Sequence, residues 1–211
     1  GLAVEPFLAT VVLGGTLVTL SGVGLAAGSA RTARCRFGWG ELVAASTHSA
    51  GEVRCVAPPH GATGWVGVEL VSLDETVGGG SFFYEARATV SLVLPLLGPV
   101  EGGSRLTVLG SHFRESSALA CRFGHGSGAV AVAARLVSAA QLECVSPVVP
   151  GASARAVEVS SNGQQFSTGG AAFTYARAAA VSAVWPVQGS AEGGTADTAA
   201  ARAYVNAEIG R

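Results

Sequence analysis

Apolar and polar residues alternate along short segments of this chain, and the alternation occurs at matching places in two copies. The clearest examples are LVTLS at 17–21 and RLTVL at 105–109. Successive side chains of a strand point to opposite faces of its sheet, so a period of two predicts two half-buried strands. The positions predicted to face a core are Val18, Leu20, Leu106 and Val108. The other face carries Leu17 in one copy and Arg105 in the other, as a solvated or contact face should.

A second repeated pattern surrounds the four cysteines. The tetrapeptide CRFG begins at Cys35 and again at Cys121, and a later cysteine in each copy, Cys55 or Cys144, stands three residues before a proline. Alternation predicts that these cysteines share the inward face of their strands with neighbouring apolar residues. The residues assigned to that face are Ala33, Cys35, Phe37, Val53, Cys55, Leu119, Cys121, Phe123, Leu142 and Cys144.

The duplication extends over almost the whole chain. Paired glycines followed by Thr or Ser occur at 14–16, 102–104 and 193–195, which are 88 and 91 residues apart. A period of about ninety residues is the size of a small β-sandwich and exceeds that of helical solenoid repeats. The sequence therefore predicts one repeat at 1–87, a second at 88–177, and the start of a third, truncated or divergent, at 178–211.

These motifs resemble the IPT/TIG family of immunoglobulin-like domains. The family pattern has a Gly-Gly-Thr/Ser start, an apolar strand that ends in glycine, a Cys-x-Phe-Gly, a Cys-x-x-Pro and a closing Phe-x-Tyr. The resemblance implies an all-β fold of tandem immunoglobulin-like sandwiches. The second repeat carries Pro99, Gly102, Gly103, Gly110, Phe113, Cys121, Phe123, Gly124, Cys144, Pro147, Phe173 and Tyr175. The first departs at 22–25, where the family has an aromatic residue, and the third departs after Thr195.

The cysteines fall as two repeat-matched pairs, Cys35 with Cys55 and Cys121 with Cys144. Their even number and matched positions favour one disulfide in each repeat. Reduced core cysteines in a cytosolic protein are the rival interpretation. A zinc site is disfavoured, because the chain has no Cys-x-x-Cys and no histidine at ligand spacing.

An uncharged run from Pro6 to Ala30 is long enough to span a bilayer, and it could be mistaken for a signal peptide. Five glycines interrupt it, and it aligns with a part of the second repeat that contains charged residues, so strands are expected instead. The glycine-rich stretch 22–28 looks like a dinucleotide-binding loop. Its counterpart at 110–115 lacks those glycines, so we expect a flexible connection between strands. Membrane contact is not expected within this segment.

Composition argues against several classes of function. The net charge is −1, and the 13 cations are all arginines scattered singly, so no basic stripe is available for nucleic acid. Four histidines at unmatched positions and two distant aspartates offer no convergent catalytic or calcium-binding set. We therefore expect no enzyme activity, no cofactor and no metal site. The absence of methionine indicates that Gly1 is not a translational start and that the chain is a piece of something longer.

Trp39 and Trp65 are the candidate contact residues. Trp39 lies in the Gly-Trp-Gly stretch at 38–40, which is expected to be an exposed loop. Trp65 points outward only in one register of its strand. An exposed tryptophan would mark a contact surface, whereas a partly buried one would cover the disulfide, and the sequence leaves both open.

The connections between repeats are too short for flexible tethers, which predicts repeats stacked end to end at a restricted angle. The expected function is a structural or adhesion segment of a large extracellular cell-surface or filament-forming glycoprotein. Its lysine-free, alanine-rich composition would suit a green alga or an actinobacterium, and an algal ciliary or cell-wall surface is one candidate setting. The alternatives are the stalk of a plexin-like receptor ectodomain and a carbohydrate-binding accessory module of a secreted enzyme. The expected partners are other domains of the same chain or assembly, with glycans as further candidates.

Overall fold

The computed structural model describes residues 2–6, 8–10, 14–22, 33–49, 51–72, 75–177, 188 and 191–192. Over these residues the protein is all-β, as predicted, and its helical content is one 3-10 turn at Gly126–Gly128. No helix in this part of the chain is long and apolar enough to cross a membrane. The glycine-rich loop after residue 22 and almost all of the expected third repeat lie outside the described residues.

Repeat 1 is a two-layer sandwich. Its strands are β1 (Ala3–Glu5), β2 (Leu8–Thr10), β3 (Leu17–Ser21), β4 (Arg34–Phe37), β5 (Leu42–Ser49), β6 (Glu52–Val56), β7 (Gly64–Ser72) and β8 (Glu75–Glu85). One layer has the order β1-β3-β6-β5 and the other β5-β4-β7-β8-β2, with β5 pairing into both. The N-terminal segment is divided, because β1 pairs with β3 whereas β2 runs parallel to β8.

Repeat 2 repeats this topology. Its strands are β9 (Thr89–Leu94), β10 (Leu97–Pro99), β11 (Arg105–Ser111), β12 (Ala120–Phe123), β13 (Val130–Ser138), β14 (Gln141–Val145), β15 (Ser153–Ser160) and β16 (Ala171–Ala176). One layer is β9-β11-β14-β13 and the other β13-β12-β15-β16-β10. Here β9 and β10 are the divided first strand, and β10 runs parallel to β16.

Each repeat has its own apolar core, and the predicted alternation is confirmed. Strands β3 and β11 bury the four positions predicted to face the core, Val18, Leu20, Leu106 and Val108, at 0–1% exposure. The closing Phe-x-Tyr motifs supply edge-to-face ring pairs, Phe82 with Tyr84 and Phe173 with Tyr175. Such geometry adds to the area that the rings bury.

Both disulfides are present, so the reduced-cysteine alternative is wrong for this fold. Cys35 on β4 bonds to Cys55 on β6, and Cys121 on β12 bonds to Cys144 on β14. The two strands of each pair belong to opposite layers, so each bridge crosses the core between the sheets. The cysteines lie inside the repeats and are structural.

The repeated glycine pair has a packing reason. Gly14 and Gly102 have positive φ, +56° and +72°. A Cβ atom at Gly14 would lie 2.5 Å from the carbonyl carbon of Pro58, and one at Gly102 would lie 2.7 Å from that of Pro147. Because only glycine tolerates both the conformation and this close approach, the Gly-Gly motif and the Cys-x-x-Pro motif are two halves of one contact.

Candidate functional site: the joint between the repeats and an aromatic face

A loop of repeat 2 is hydrogen-bonded to the end of repeat 1 at which strand β3 begins. We call residues 161–166, which follow β15, the clamp loop. The Gln164 side-chain carbonyl accepts a hydrogen bond from the Leu17 backbone N–H at 2.8 Å, and its amide donates to the Leu17 carbonyl at 3.0 Å. One side chain thus satisfies both backbone groups of the residue that opens β3, as a neighbouring strand would.

Asn162 holds the clamp loop in shape. Its side-chain oxygen accepts hydrogen bonds from the backbone N–H groups of Gln164 and Gln165, both at 3.0 Å. Its amide donates to the Gln165 side chain and, at 3.4 Å, to the Thr16 hydroxyl of repeat 1. The Thr16 hydroxyl donates in turn to Gln165 at 2.7 Å. Thr16 and Asn162 are 0% and 5% exposed, so this network is shielded from competing water.

The base of the clamp loop is held within repeat 2. The Arg122 guanidinium lies 3.9 Å from the centre of the Phe166 ring and is hydrogen-bonded to the Glu158 carboxylate. The Phe166 carbonyl also accepts a hydrogen bond of 3.4 Å from Arg87 in the connection between the repeats. The loop is therefore held at its base as well as at its tip.

A second contact between the repeats involves the end of β8. The Arg114 guanidinium of repeat 2 lies 4.1 Å from the centre of the Phe83 ring of repeat 1. Its Nε is also 3.9 Å from a carboxylate oxygen of Glu85. Only three residues separate β8 from β9, so the repeats are tied at β3, at β8 and through the chain itself.

Glu85 is a buried carboxyl group at this joint. Burial raises its pKa from 4.5 to about 7, and the Ser161 side chain and the Arg114 guanidinium lower it by less. Between pH 4.5 and 7 the unfolded chain releases this proton while the folded chain retains it. The free energy of unfolding is therefore expected to fall as the pH rises through this window, and the contribution of Glu85 to become constant above it.

The substitution Glu85→Gln should remove that contribution, because glutamine stays neutral at every pH. We expect denaturant titrations of the wild-type chain at pH 5 and pH 7.5 to show a larger loss of stability with pH than those of the variant. Glu101→Gln, at an exposed position of repeat 2, is the control and should follow the wild type. An unchanged pH dependence in Glu85→Gln would show that the carboxyl group titrates alike in both states.

The two candidate tryptophans belong to neighbouring segments of repeat 1, the turn after β4 and strand β7. Trp65 is 62% exposed on the outer face of β7 and packs edge-to-face on Phe83, with ring centres 5.1 Å apart. Trp39 is fully exposed in the turn after β4, as that expected loop requires. The Gly38 backbone N–H donates to the Gly67 carbonyl at 2.7 Å, which fixes this turn beside β7. Trp65 therefore leaves much of its ring exposed, whereas the Phe83 ring beside it is covered by Arg114 of repeat 2.

Each repeat also carries an arginine–glutamate pair at the same place on its outer sheet. Arg36 pairs with Glu69 in repeat 1, and Arg122 pairs with Glu158 in repeat 2. The first pair is open, with side chains 41% and 40% exposed, whereas Phe166 covers the second. In the described part of the chain no three acidic, histidine or cysteine side chains converge to hold a metal ion.

Two disulfide-closed sandwiches joined by a hydrogen-bonded loop define a tandem array of immunoglobulin-like modules. The family model described as IPT/TIG domain matches residues 3–84 and 88–175. The chain therefore belongs to the IPT/TIG family, as the motifs predicted. Domains of this family are generally non-catalytic modules.

Among solved structures the chain is similar to the full extracellular region of plexin A4. The identity is 20% and the TM-score 0.59, over 83% of this chain and 16% of that one. The adhesin InvE of Yersinia pseudotuberculosis matches at 12% identity and a TM-score of 0.31, over 83% of this chain and 58% of its own. The Escherichia coli adhesin FdeC matches at 15% and 0.32, over 83% and 63%. The likeness to plexin A4 concerns the fold alone. No curated protein matches the sequence.

Proposed function

We propose that this chain is a non-enzymatic segment of a large extracellular cell-surface or filament-forming glycoprotein, in which it holds neighbouring modules at a fixed orientation. The observation that carries the proposal is the clamp of Gln164 on the backbone of Leu17. A role in position and adhesion needs a joint that resists bending, and it needs no reactive site.

Contacts on two sides of the joint, at β3 and at β8, oppose bending between the repeats. Bending away from β3 would break the hydrogen bonds of Gln164 and Gln165, and bending away from β8 would separate Arg114 from Phe83 and Glu85. Each hydrogen bond contributes about 1 kcal/mol net, and the buried ones cost more when a partner is left unsatisfied. A three-residue connection leaves little slack to compensate.

The disulfides support an oxidising location. Bridges of this kind persist in extracellular compartments and are rare in the cytosol. Peptide mass spectrometry of the native protein without reduction should find both bridges, and free thiols in either repeat would contradict an extracellular setting. The composition further motivates a ciliary or cell-wall surface of a green alga.

Residual dipolar couplings measured on the whole chain test the fixed orientation. A rigid joint predicts that the couplings of both repeats fit a single alignment tensor. Two tensors of different magnitude would show that the repeats reorient independently, and the proposal would fail. The same stiffness would serve a receptor stalk, and a membrane-spanning helix in the full-length gene would favour that setting.

A further inference from the structure

We propose that the end of repeat 2 at which strand β11 begins is a docking site for a side-chain carboxamide on a loop of a further immunoglobulin-like module. The site consists of the backbone N–H and C=O groups of Arg105, with the hydroxyl residue Ser104 just before it. In repeat 1 the same positions are Leu17 and Thr16, and the clamp loop already binds both. The site rests on the proposed function and deepens it, because it names the partner that would continue the array.

Both repeats leave a gap in the sheet at this point. Pairing of β1 with β3 ends at Thr19, and pairing of β9 with β11 ends at Thr107. The chain then crosses to the opposite layer, where β2 pairs with β8 and β10 pairs with β16. Among the described strands, none therefore runs beside Leu17 or Arg105 on the side that β1 or β9 has left.

The backbone groups of Arg105 point into this gap. The Ser146 N–H, just after β14, donates to the Ser104 carbonyl at 2.9 Å, and the Thr16 carbonyl accepts a matching bond of 2.8 Å in repeat 1. Successive residues of an antiparallel strand turn their N–H and C=O groups to opposite sides. Since Ser104 faces β14, Arg105 faces away from it, as Leu17 faces away from β6 and toward the clamp loop.

The two equivalent places differ in exposure. Thr16 is 0% exposed beneath the clamp loop, whereas Ser104 is half-buried and Arg105 is exposed. The chain also leaves repeat 2 at this end, because the Ala176 carbonyl, where β16 finishes, accepts a hydrogen bond of 3.0 Å from the Val100 N–H in the connection to β11. A module that follows repeat 2 would therefore start beside the site.

A carboxamide is the side-chain group that matches one backbone N–H and one C=O of the same residue. It carries an acceptor oxygen and a donor nitrogen, so it can bond to both groups at once, as Gln164 does on Leu17. A carboxylate would leave the C=O without a donor, and a guanidinium or ammonium group would leave the N–H without an acceptor. An extended peptide would find a single residue to pair with, so a loop that bears glutamine or asparagine is the better match.

The sequence after repeat 2 begins the module pattern again. The glycine pair of repeat 2 starts at Gly102, 18 residues after Tyr84, and a third pair starts at Gly193, 18 residues after Tyr175. This equal spacing would set a third module on repeat 2 as repeat 2 is set on repeat 1. The partner is therefore the loop of the following module that corresponds to the clamp loop.

Amide hydrogen exchange in an extended chain tests the site. Residues 1–178 are followed by a second copy of residues 88–177, which keeps 18 residues between Tyr175 and the glycine pair of the added copy. We expect the Arg105 amide to exchange at least about fivefold more slowly than in the unextended chain, which is the effect of one added hydrogen bond. Gln164→Ala in the added copy alone should remove this protection. Arg105→Leu copies the side chain of repeat 1, leaves the backbone groups in place and should keep the protection.

Three outcomes would overturn the site. The first is an Arg105 amide that exchanges at the same rate in both chains, and the second is protection that survives Gln164→Ala in the added copy. The third is an added copy that fails to fold on repeat 2, since the same sequence folds on repeat 1. The Leu17 amide is the internal reference and should be protected in both chains. Fast exchange at Leu17 would remove the clamp itself, whereas fast exchange at Arg105 beside slow exchange at Leu17 would remove the site on repeat 2 alone.

Discussion

Removing the disulfide of repeat 2 with the double substitution Cys121→Ala and Cys144→Ala is expected to lower the free energy of unfolding of that repeat by about 3 kcal/mol. The bridge spans a sequence separation of 23 residues, and opening it restores conformational freedom to the unfolded chain. Alanine is the suitable replacement, because both positions are buried and a serine hydroxyl would lack a partner there. The measurement is chemical denaturation followed by probes in each repeat.

The matched control is Arg135→Ala, which breaks the exposed ion pair with Glu143 on the neighbouring strand. Its side chains are 71% and 38% exposed, so the expected change is below about 1 kcal/mol. If the double cysteine variant were no less stable than this control, the bridge would contribute nothing to the stability of repeat 2.

Replacing Asn162 by alanine is expected to release the clamp loop from repeat 1. The change removes the hydrogen bonds that Asn162 makes to Gln164, Gln165 and Thr16, and it leaves several of their groups without partners. We expect the free energy of interaction between the two repeats to weaken by about 2–3 kcal/mol. Nitrogen-15 relaxation should then give two shorter rotational correlation times in place of the single long one expected for the wild type.

Thr168→Ala is the control for this prediction, because Thr168 is exposed and lies just beyond the clamp loop. It should keep the single correlation time. The melting temperature of repeat 2 distinguishes uncoupling from unfolding, since Asn162 does not belong to the apolar core. An Asn162→Ala chain that still tumbled as one body would show that the contacts of Arg114 suffice to hold the joint.

The sandwich and its bridges could be predicted from sequence because their determinants are repeated. Period-two alternation at Val18 and Leu20 recurs at Leu106 and Val108, and the same matching selects the cysteine pairs. Two copies of a pattern reveal which positions the fold requires. One relation between the repeated motifs could not be predicted from the sequence. In the structure Gly14 and Gly102 lie against the Cys-x-x-Pro segments.

The joint could not be predicted in the same way, because its residues are not repeated. Gln164 contacts Leu17, which is 147 positions earlier, and the sequence of repeat 1 has no matching Asn-x-Gln-Gln segment. A faint signal exists, since the offset between the copies changes from 89 at Glu69 and Glu158 to 91 at Tyr84 and Tyr175. This two-residue insertion falls in the stretch that contains the clamp loop. The length of the loop does not predict which residues of repeat 1 it contacts.

The sequence leaves the orientation of Trp65 open for a physical reason. The segment around it has glycine at 64 and 67, so the face that Trp65 occupies depends on where the strand begins. The strand begins at Gly64, which points Trp65 outward while Val68 and Leu70 are buried. The interpretation of Trp65 as a cover for the disulfide is therefore wrong for the side chain as placed, and its role in contact stays a prediction.

The parallel pairing of the first and last strands of each repeat has a mechanical consequence. Strand β2 runs beside β8, and β10 runs beside β16, in the same direction. When the chain is pulled at the N-terminal end of the earlier strand and the C-terminal end of the later one, the two parallel strands slide past each other. Their hydrogen bonds are then loaded together in shear and do not break one at a time. The core-crossing disulfides limit how far the chain can extend if a repeat yields. A polymer of these units would resist pulling as well as bending.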